Sequence, residues 1–432
     1  MNRVILSFAV LLVAPAAAQA QFAEPDVRVL HELRPSTPGG NFGWVAEVVG
    51  DLDGDRAPDF VVGAPAVATG RTAAGSATVY SGATGAVLFT HVGAPGDRLG
   101  YSVAGLGDVD RDRVPDYAVG GLGGRVLVVS GADHHVIHDL RVTGEGFGFD
   151  LDVAGDVDGD RVPDVIVGAI AAPDGLLPFV GKAYVFSGAT GALVWSRRGS
   201  GAGAWFGSSV AGVADLDGDG RPEQLVGAQF AGPAGTGLAY VLAGRDGALV
   251  RTLTPDASAG AFGAFFADDA GDVDHDHVGD LLVTDLADSG NTGKAYVFSG
   301  ATGAVLRRYV GEHPGDGFGV GRATWDLDRD HRPDVILAAW QASAGAPQAG
   351  KTYLVSGQTG AVLRTITSTT AGLSTGFDAL ILGDVDRDHA PDLLITGIDV
   401  AYVIAGRRHG PGRPGGRGPG EDADGAHDRD DD

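Results

Sequence analysis

The chain has 432 residues, a formal net charge of −25, 72 glycines and no cysteine. That acidity argues against nucleic acid or an anionic membrane surface as a direct partner, and the glycine content favours a turn-rich β protein over a helical one. Without disulfides, an exported chain of this length must be held by its core, by metal, or by both.

Residues 1–20 read as a leader. Arg3 gives a positive start, Val4–Val13 is apolar, and Ala18-Gln19-Ala20 is a small-x-small cleavage site that would leave Gln21 first. The apolar stretch is short for a bilayer span and no later segment approaches ~20 apolar residues. The protein is therefore expected to be secreted, or retained at the cell surface or in a periplasm, without membrane insertion. Val27–Leu33 then reads as a strand, and Phe42-Gly43 leads into an acidic loop with carboxylates at Asp51, Asp53, Asp55 and Asp59. A β-branched run from Phe60 ends at Gly63-Ala64-Pro65, and a variable segment follows. Two further apolar runs flank the turn Ala83-Thr84-Gly85. Short apolar runs bounded by Gly, Asp and Pro read as strands, and the turn glycine supplies the positive φ a hairpin needs.

The loop returns six times. Its later carboxylates are Asp108, Asp110, Asp112 and Asp116; Asp156, Asp158, Asp160 and Asp164; Asp215, Asp217, Asp219 and Glu223; Asp272, Asp274, Asp276 and Asp280; Asp326, Asp328, Asp330 and Asp334; and Asp384, Asp386, Asp388 and Asp392. Starts are 57, 48, 59, 57, 54 and 58 residues apart, a period that belongs to solenoids, propellers or arrays. Ahead of the loops stand Phe42-Gly43, Leu99-Gly100, Phe147-Gly148, Phe206-Gly207, Phe262-Gly263, Phe318-Gly319 and Phe377-Asp378. Four strands per repeat and seven repeats predict an all-β fold, a seven-bladed β-propeller of four-stranded antiparallel blades. The last repeat has a third strand at Ala401–Ala405 but no fourth. Val27–Leu33 is expected to supply it and so close the ring without a long free edge. Residues 21–406 would form the propeller, and 407–432, rich in Gly, Pro and Asp, read as a disordered tail.

Each loop carries carboxylates at positions 1, 3, 5 and 9. A hard cation such as Ca²⁺ takes six to eight oxygens from carboxylates, carbonyls and water, and alternate residues of a tight loop can converge on one point. Four carboxylates ~5 Å apart repel by roughly 5 kcal/mol in water when the loop is empty, so up to seven Ca²⁺ are expected. The loops hold half of the 56 acidic residues, and seven divalent ions would bring the formal charge from −25 to −11. They are not EF-hands, which need twelve residues, Gly at 6 and Glu at 12; here position 6 is Arg, Gly or His and a strand follows.

Phe-Gly, the nine-residue Asp loop and Gly-Ala-Pro together resemble the FG-GAP repeat of the integrin α-subunit propeller, over about Val27 to Gly406. The resemblance implies seven blades, with Ca²⁺ in the loop joining the first two strands of a blade. Integrin propellers carry such loops in only some blades, whereas all seven have one here. Nothing resembles the integrin leg domains, transmembrane helix or tail.

The other motifs read as structural. His275, His277, His331 and His389 occupy positions 4 and 6 of the loops, facing away from the ion. His134, His135 and His138 fall at a hairpin turn, and a transition metal there is the lesser reading. Trp44, Trp195 and Trp325 lie in predicted strands as packing residues. Phe179, Trp205, Phe230 and Trp340 belong to irregular segments and are the candidate ligand-face residues. Connectivity puts the acidic loops and hairpin turns on one face and the irregular connections on the other, where binding resides. A non-enzymatic interaction or adhesion module, monomeric, meeting an extracellular protein or glycan, is the expected function. The alternative is a propeller-scaffold lyase or hydrolase acting on polysaccharide or another extracellular substrate. Its polar candidates Arg71, Asp97, Arg98, Asp288, His313 and Asp316 are scattered, and no constellation emerges.

Overall fold

The computed structural model describes residues 21–35 and 38–407; the leader read in residues 1–20 and the tail beyond Arg407 lie outside them. Among the described residues, seven four-stranded antiparallel sheets form the blades of a β-propeller. The first blade runs Ala46–Gly50, Asp59–Ala64, Ser76–Tyr80 and Val87–Val92, from inner to outer strand. Second strands such as Asp59–Ala64, Asp164–Ala169 and Asp334–Ala339 are buried along their whole length. Neighbouring blades cover both of their faces, so their sequences are continuously apolar. Outer strands such as Val87–Val92 are mostly exposed.

The seventh blade is Ala379–Gly383, Asp392–Gly397 and Val400–Ile404, completed by Val29–Leu33. Leu33 pairs with Ala401 and Glu32 with Tyr402, antiparallel, which is the predicted ring closure. The apolar cores lie between blades. Phe60 and Val62 of the first blade share a cluster with Leu380 and Leu394 of the seventh.

The Phe of the leading dipeptide packs within its own blade against the tyrosine of the third strand. Phe147, Phe206 and Phe262 are buried and contact Tyr184, Tyr240 and Tyr296 at centroid distances of 5.5, 5.5 and 5.4 Å. The Gly is required twice over: Gly43 has φ +86°, and a Cβ there would lie 2.4 Å from the Gly397 carbonyl oxygen of the adjacent blade. In the seventh repeat these two slots belong to Thr375-Gly376, not to Phe377-Asp378. The Gly376 N–H bonds the Thr396 carbonyl at 2.7 Å, as Gly43 bonds Gly63 and Gly263 bonds Thr284. Tyr402 meets Phe22 at 5.3 Å instead.

Outer strands clasp the next blade around the rim. His31 lies 3.1 Å from the Gly82 carbonyl and His138 2.7 Å from that of Gly188. Trp195 donates to Gly244 at 2.6 Å and Arg364 to Ala405 at 3.1 Å. Trp195 thus packs as expected, but Trp325 is 46% exposed and is not a core residue.

Candidate metal loops and the axial cavity

Each acidic loop joins an inner strand to a second strand and is folded by its own carboxylates. Asp51 accepts the N–H groups of Gly54 and Arg56, both at 2.8 Å. Asp53 accepts that of Asp55 at 3.1 Å, and Asp55 that of Ala57 at 2.7 Å. The loops at Asp156 and Asp215 repeat the pattern, and those at Asp326 and Asp384 repeat most of it. The bond from position 6 to the first carboxylate holds a left-handed residue, as at Arg56 with φ 71° and His277 with φ 71°.

The ninth residue reaches further. Asp59 accepts Leu52 N–H at 2.8 Å and, from the hairpin turn between the third and fourth strands, Gly82 N–H at 2.9 Å. Asp164 does so with Val157 and Gly188, and Asp334 with Leu327 and Gly357. Loop and turn therefore share a face. The recurring Ser-Gly of the turn is explained at Gly82, where a Cβ would sit 1.9 Å from the Pro58 carbonyl.

Donor atoms lie within 4.8 Å of one another in the sets Asp51, Asp53, Asp59; Asp108, Asp110, Asp116; Asp156, Asp158, Asp164; Asp215, Asp217, Asp219, Glu223; and Asp272, Asp274, Asp276. In the first three sets the position-5 carboxylate stands apart, turned to the N–H of position 7. The donors fit a hard cation, since all are oxygens. Buried oxygens of Asp108, Glu223 and Asp330 lack any hydrogen-bond partner, and a cation would satisfy them. Burial pushes Asp59, Asp164, Asp280 and Asp334 up to about 6, and Glu223 to about 7. A bound divalent ion would restore the ionised form. Neighbouring loops also touch: Arg111 donates to the Asp160 carbonyl at 2.8 Å, and Arg332 to that of Val273 at 2.7 Å.

On the opposite face the inner strands converge around a cavity of about 350 Å³. Its mouth is an unbroken arc of rings. Trp340 meets Phe377 at 5.2 Å and Phe377 meets Trp44 at 5.1 Å. Trp44 meets Tyr101 at 5.1 Å, Tyr101 meets Phe149 at 5.4 Å, and Phe149 meets Phe265 at 5.7 Å. Below the rings stand Asp150, Asp152, Asp268, Asp378 and Arg322. Arg322 of the sixth blade pairs with Asp378 of the seventh at 3.4 Å and with Glu47 of the first at 2.6 Å. Asp378 accepts Ala46 N–H at 3.0 Å, Asp150 accepts Val210 N–H at 2.8 Å, and Asp152 accepts Gly212 N–H at 3.2 Å. Burial pushes Asp150 up to about 7 and raises Asp152 well above the usual carboxylate range, with the charges of Asp268 and Glu47 adding to the effect.

The FG-GAP repeat family model matches residues 42–80 and 206–242. These segments are FG-GAP repeats. The match and the seven blades agree with the resemblance to the integrin α-subunit propeller. No curated protein matches the chain.

The propeller architecture accounts for most of the residues singled out from sequence. His277 and His389 are almost fully exposed, as expected of position 6, whereas His275 reaches 3.0 Å from the His331 carbonyl of the next loop. The three histidines read as one turn go separate ways: His134 stacks on Phe89 at 4.6 Å, His135 pairs with Asp133, and His138 is not in the turn but in the outer strand Val136–Arg141, where it meets the Gly188 carbonyl. Trp205 lies between Phe179 at 6.3 Å and Phe230 at 5.3 Å and touches Phe149 of the cavity at 6.5 Å. Trp340 lines the cavity itself, as does Trp44, which is no plain core residue. Asp97 is paired with Arg125, Asp288 with Lys294, and His313 with Asp316. The axial set was missed from sequence. Its one legible signal is placement: Glu47, Asp152, Asp268 and Arg322 each stand four residues ahead of an acidic loop.

Proposed function

We propose that the chain is an exported, calcium-binding propeller acting as a non-enzymatic interaction module, with its extracellular protein or glycan partner bound on the irregular-loop face. The observation that supports this most is the division of the faces. One carries repeated acidic loops tied to hairpin turns; the other gathers unpatterned aromatics around a cavity. Calcium would neutralise the loops and stiffen the ring, leaving recognition to the other side. Among the described residues no helix is long and apolar enough to cross a membrane. Screening the mature protein against glycan and matrix-protein arrays, with calcium and with chelator, tests the reading. A bound partner should be weakened by Trp205→Ala and Trp340→Ala with little change in melting, and unaffected by His135→Ala on the calcium face. The reverse order would move the site to the other face.

A second reading is favoured by one observation. Asp150, raised to about 7 beneath aromatic walls, has the environment of a general acid. Under that reading polysaccharide cleavage should be detectable and Asp150→Asn should abolish it.

A further inference from the structure

We propose that the axial cavity binds a small linear organic cation carrying two ammonium groups, its alkyl chain against the aromatic arc and its charges meeting Asp150 and Asp152. This rests on the reading of the irregular face as the binding face and names a ligand class for its centre.

Size and walls come first. About 350 Å³ suits a small ligand, and the rings of Trp44, Tyr101 and Phe149 present π surfaces that attract cations.

Charge comes second. Among the described residues, Glu47, Asp150, Asp152 and Asp378 surround the Arg322 guanidinium, which is committed to Glu47 and Asp378. Neither Asp150 nor Asp152 has a cationic hydrogen-bond partner; each accepts a backbone N–H of the next inner strand. Clipping one strand to the next does not require a carboxylate at Asp152's position, since the second and fourth blades have Ala104 and Ala211 four residues before their loops. These carboxylates are thus surplus to the fold's needs, and a cationic ligand would hold them in the ionised form that burial disfavours.

Spacing comes third. Asp150 and Asp152 accept N–H groups two residues apart on the next inner strand, Val210 and Gly212, so both point to the same side, about 7 Å apart. That matches the separation of the nitrogens in an extended four- or five-carbon diamine.

The test uses the whole mature chain in saturating calcium, with melting curves in calcium and chelator confirming a folded, loaded ring. Calorimetric titration of 1,4-diaminobutane should give one site per chain. 1-Aminobutane should bind about tenfold weaker or less, having lost one charge-assisted contact. Asp150→Asn and Asp152→Asn keep an oxygen for the Val210 and Gly212 N–H groups, so they should melt no lower than the parent while losing about tenfold or more in diamine affinity. Trp44→Leu should weaken both amines. No diamine binding at about 10 mM on a folded, calcium-loaded ring would overturn the proposal, as would parent-like affinity in both Asn variants. Binding of a neutral disaccharide in place of the diamine would overturn it too. None of these outcomes bears on partner capture in the array screen, so the two readings fail separately.

Discussion

At the residue scale, the four carboxylates of a loop divide their work. Position 3 folds the loop locally and offers the cation a donor, so Asp158→Asn should leave melting in chelator near the parent's. It should remove part of the calcium-induced gain, which for one site at a hundredfold excess over its dissociation constant is about 2.7 kcal/mol. Position 9 also holds the hairpin turn. Asp164→Ala strands two buried N–H groups, Val157 and Gly188, at ~1–3 kcal/mol each, and should lower melting in chelator as well as in calcium. Spacing in the sequence showed that these side chains belong together. It could not show the division, because the turn glycine lies 24 residues beyond Asp164 and meets it only across two strands. The axial carboxylates make a pH prediction. Burial raises Asp150 to about 7, above its unfolded value, so the folded state binds more protons than the unfolded one between about pH 4 and pH 7. Stability from this group is present at the acid end and lost as pH rises through that window. Melting of Asp150→Asn relative to the parent should therefore improve steadily from pH 4.5 to 7.5, and parallel curves would contradict the assignment.

At the element scale, blades, loops and ring closure were legible because each repeat spells the same order of apolar run, turn and acid, and because the last repeat visibly lacks a strand. Deleting Gln21–Arg34 opens the edge at Val400–Ile404 and should cost ~4 kcal/mol or more; a melting curve unchanged by the truncation would refute the closure. The rim clasps were not legible, since His31, His138, Trp195 and Arg364 share a position but no chemistry beyond a donor nitrogen. Trp195→Ala should cost ~3–5 kcal/mol by the cavity it leaves, along with the clasp on Gly244. In the seventh repeat Phe377 drew the sequence reading two residues out of register, because aromatic character is easier to see than the backbone bond that places Thr375-Gly376. That shift hid the fact that Phe377 belongs with Trp44, Tyr101 and Phe149 at the cavity mouth.

At the scale of the whole molecule, the repeat builds a ring whose two faces differ in kind. The acidic-loop face was readable in one repeat and merely multiplied by seven. The axial site exists only after closure: Glu47 and Arg322 are 275 residues apart and meet at 2.6 Å, so their place ahead of the loops does not show that they pair. The proposed function has the loops stiffen the ring through bound ions, which makes metal loading the central claim. The most direct measurement is thermal unfolding of the mature protein, stripped of metal and then titrated with calcium, with bound calcium counted on the same sample. The account predicts up to seven ions per chain and a melting temperature that climbs by many degrees as they bind. Superimposable melts in calcium and chelator, with no calcium retained, would contradict it.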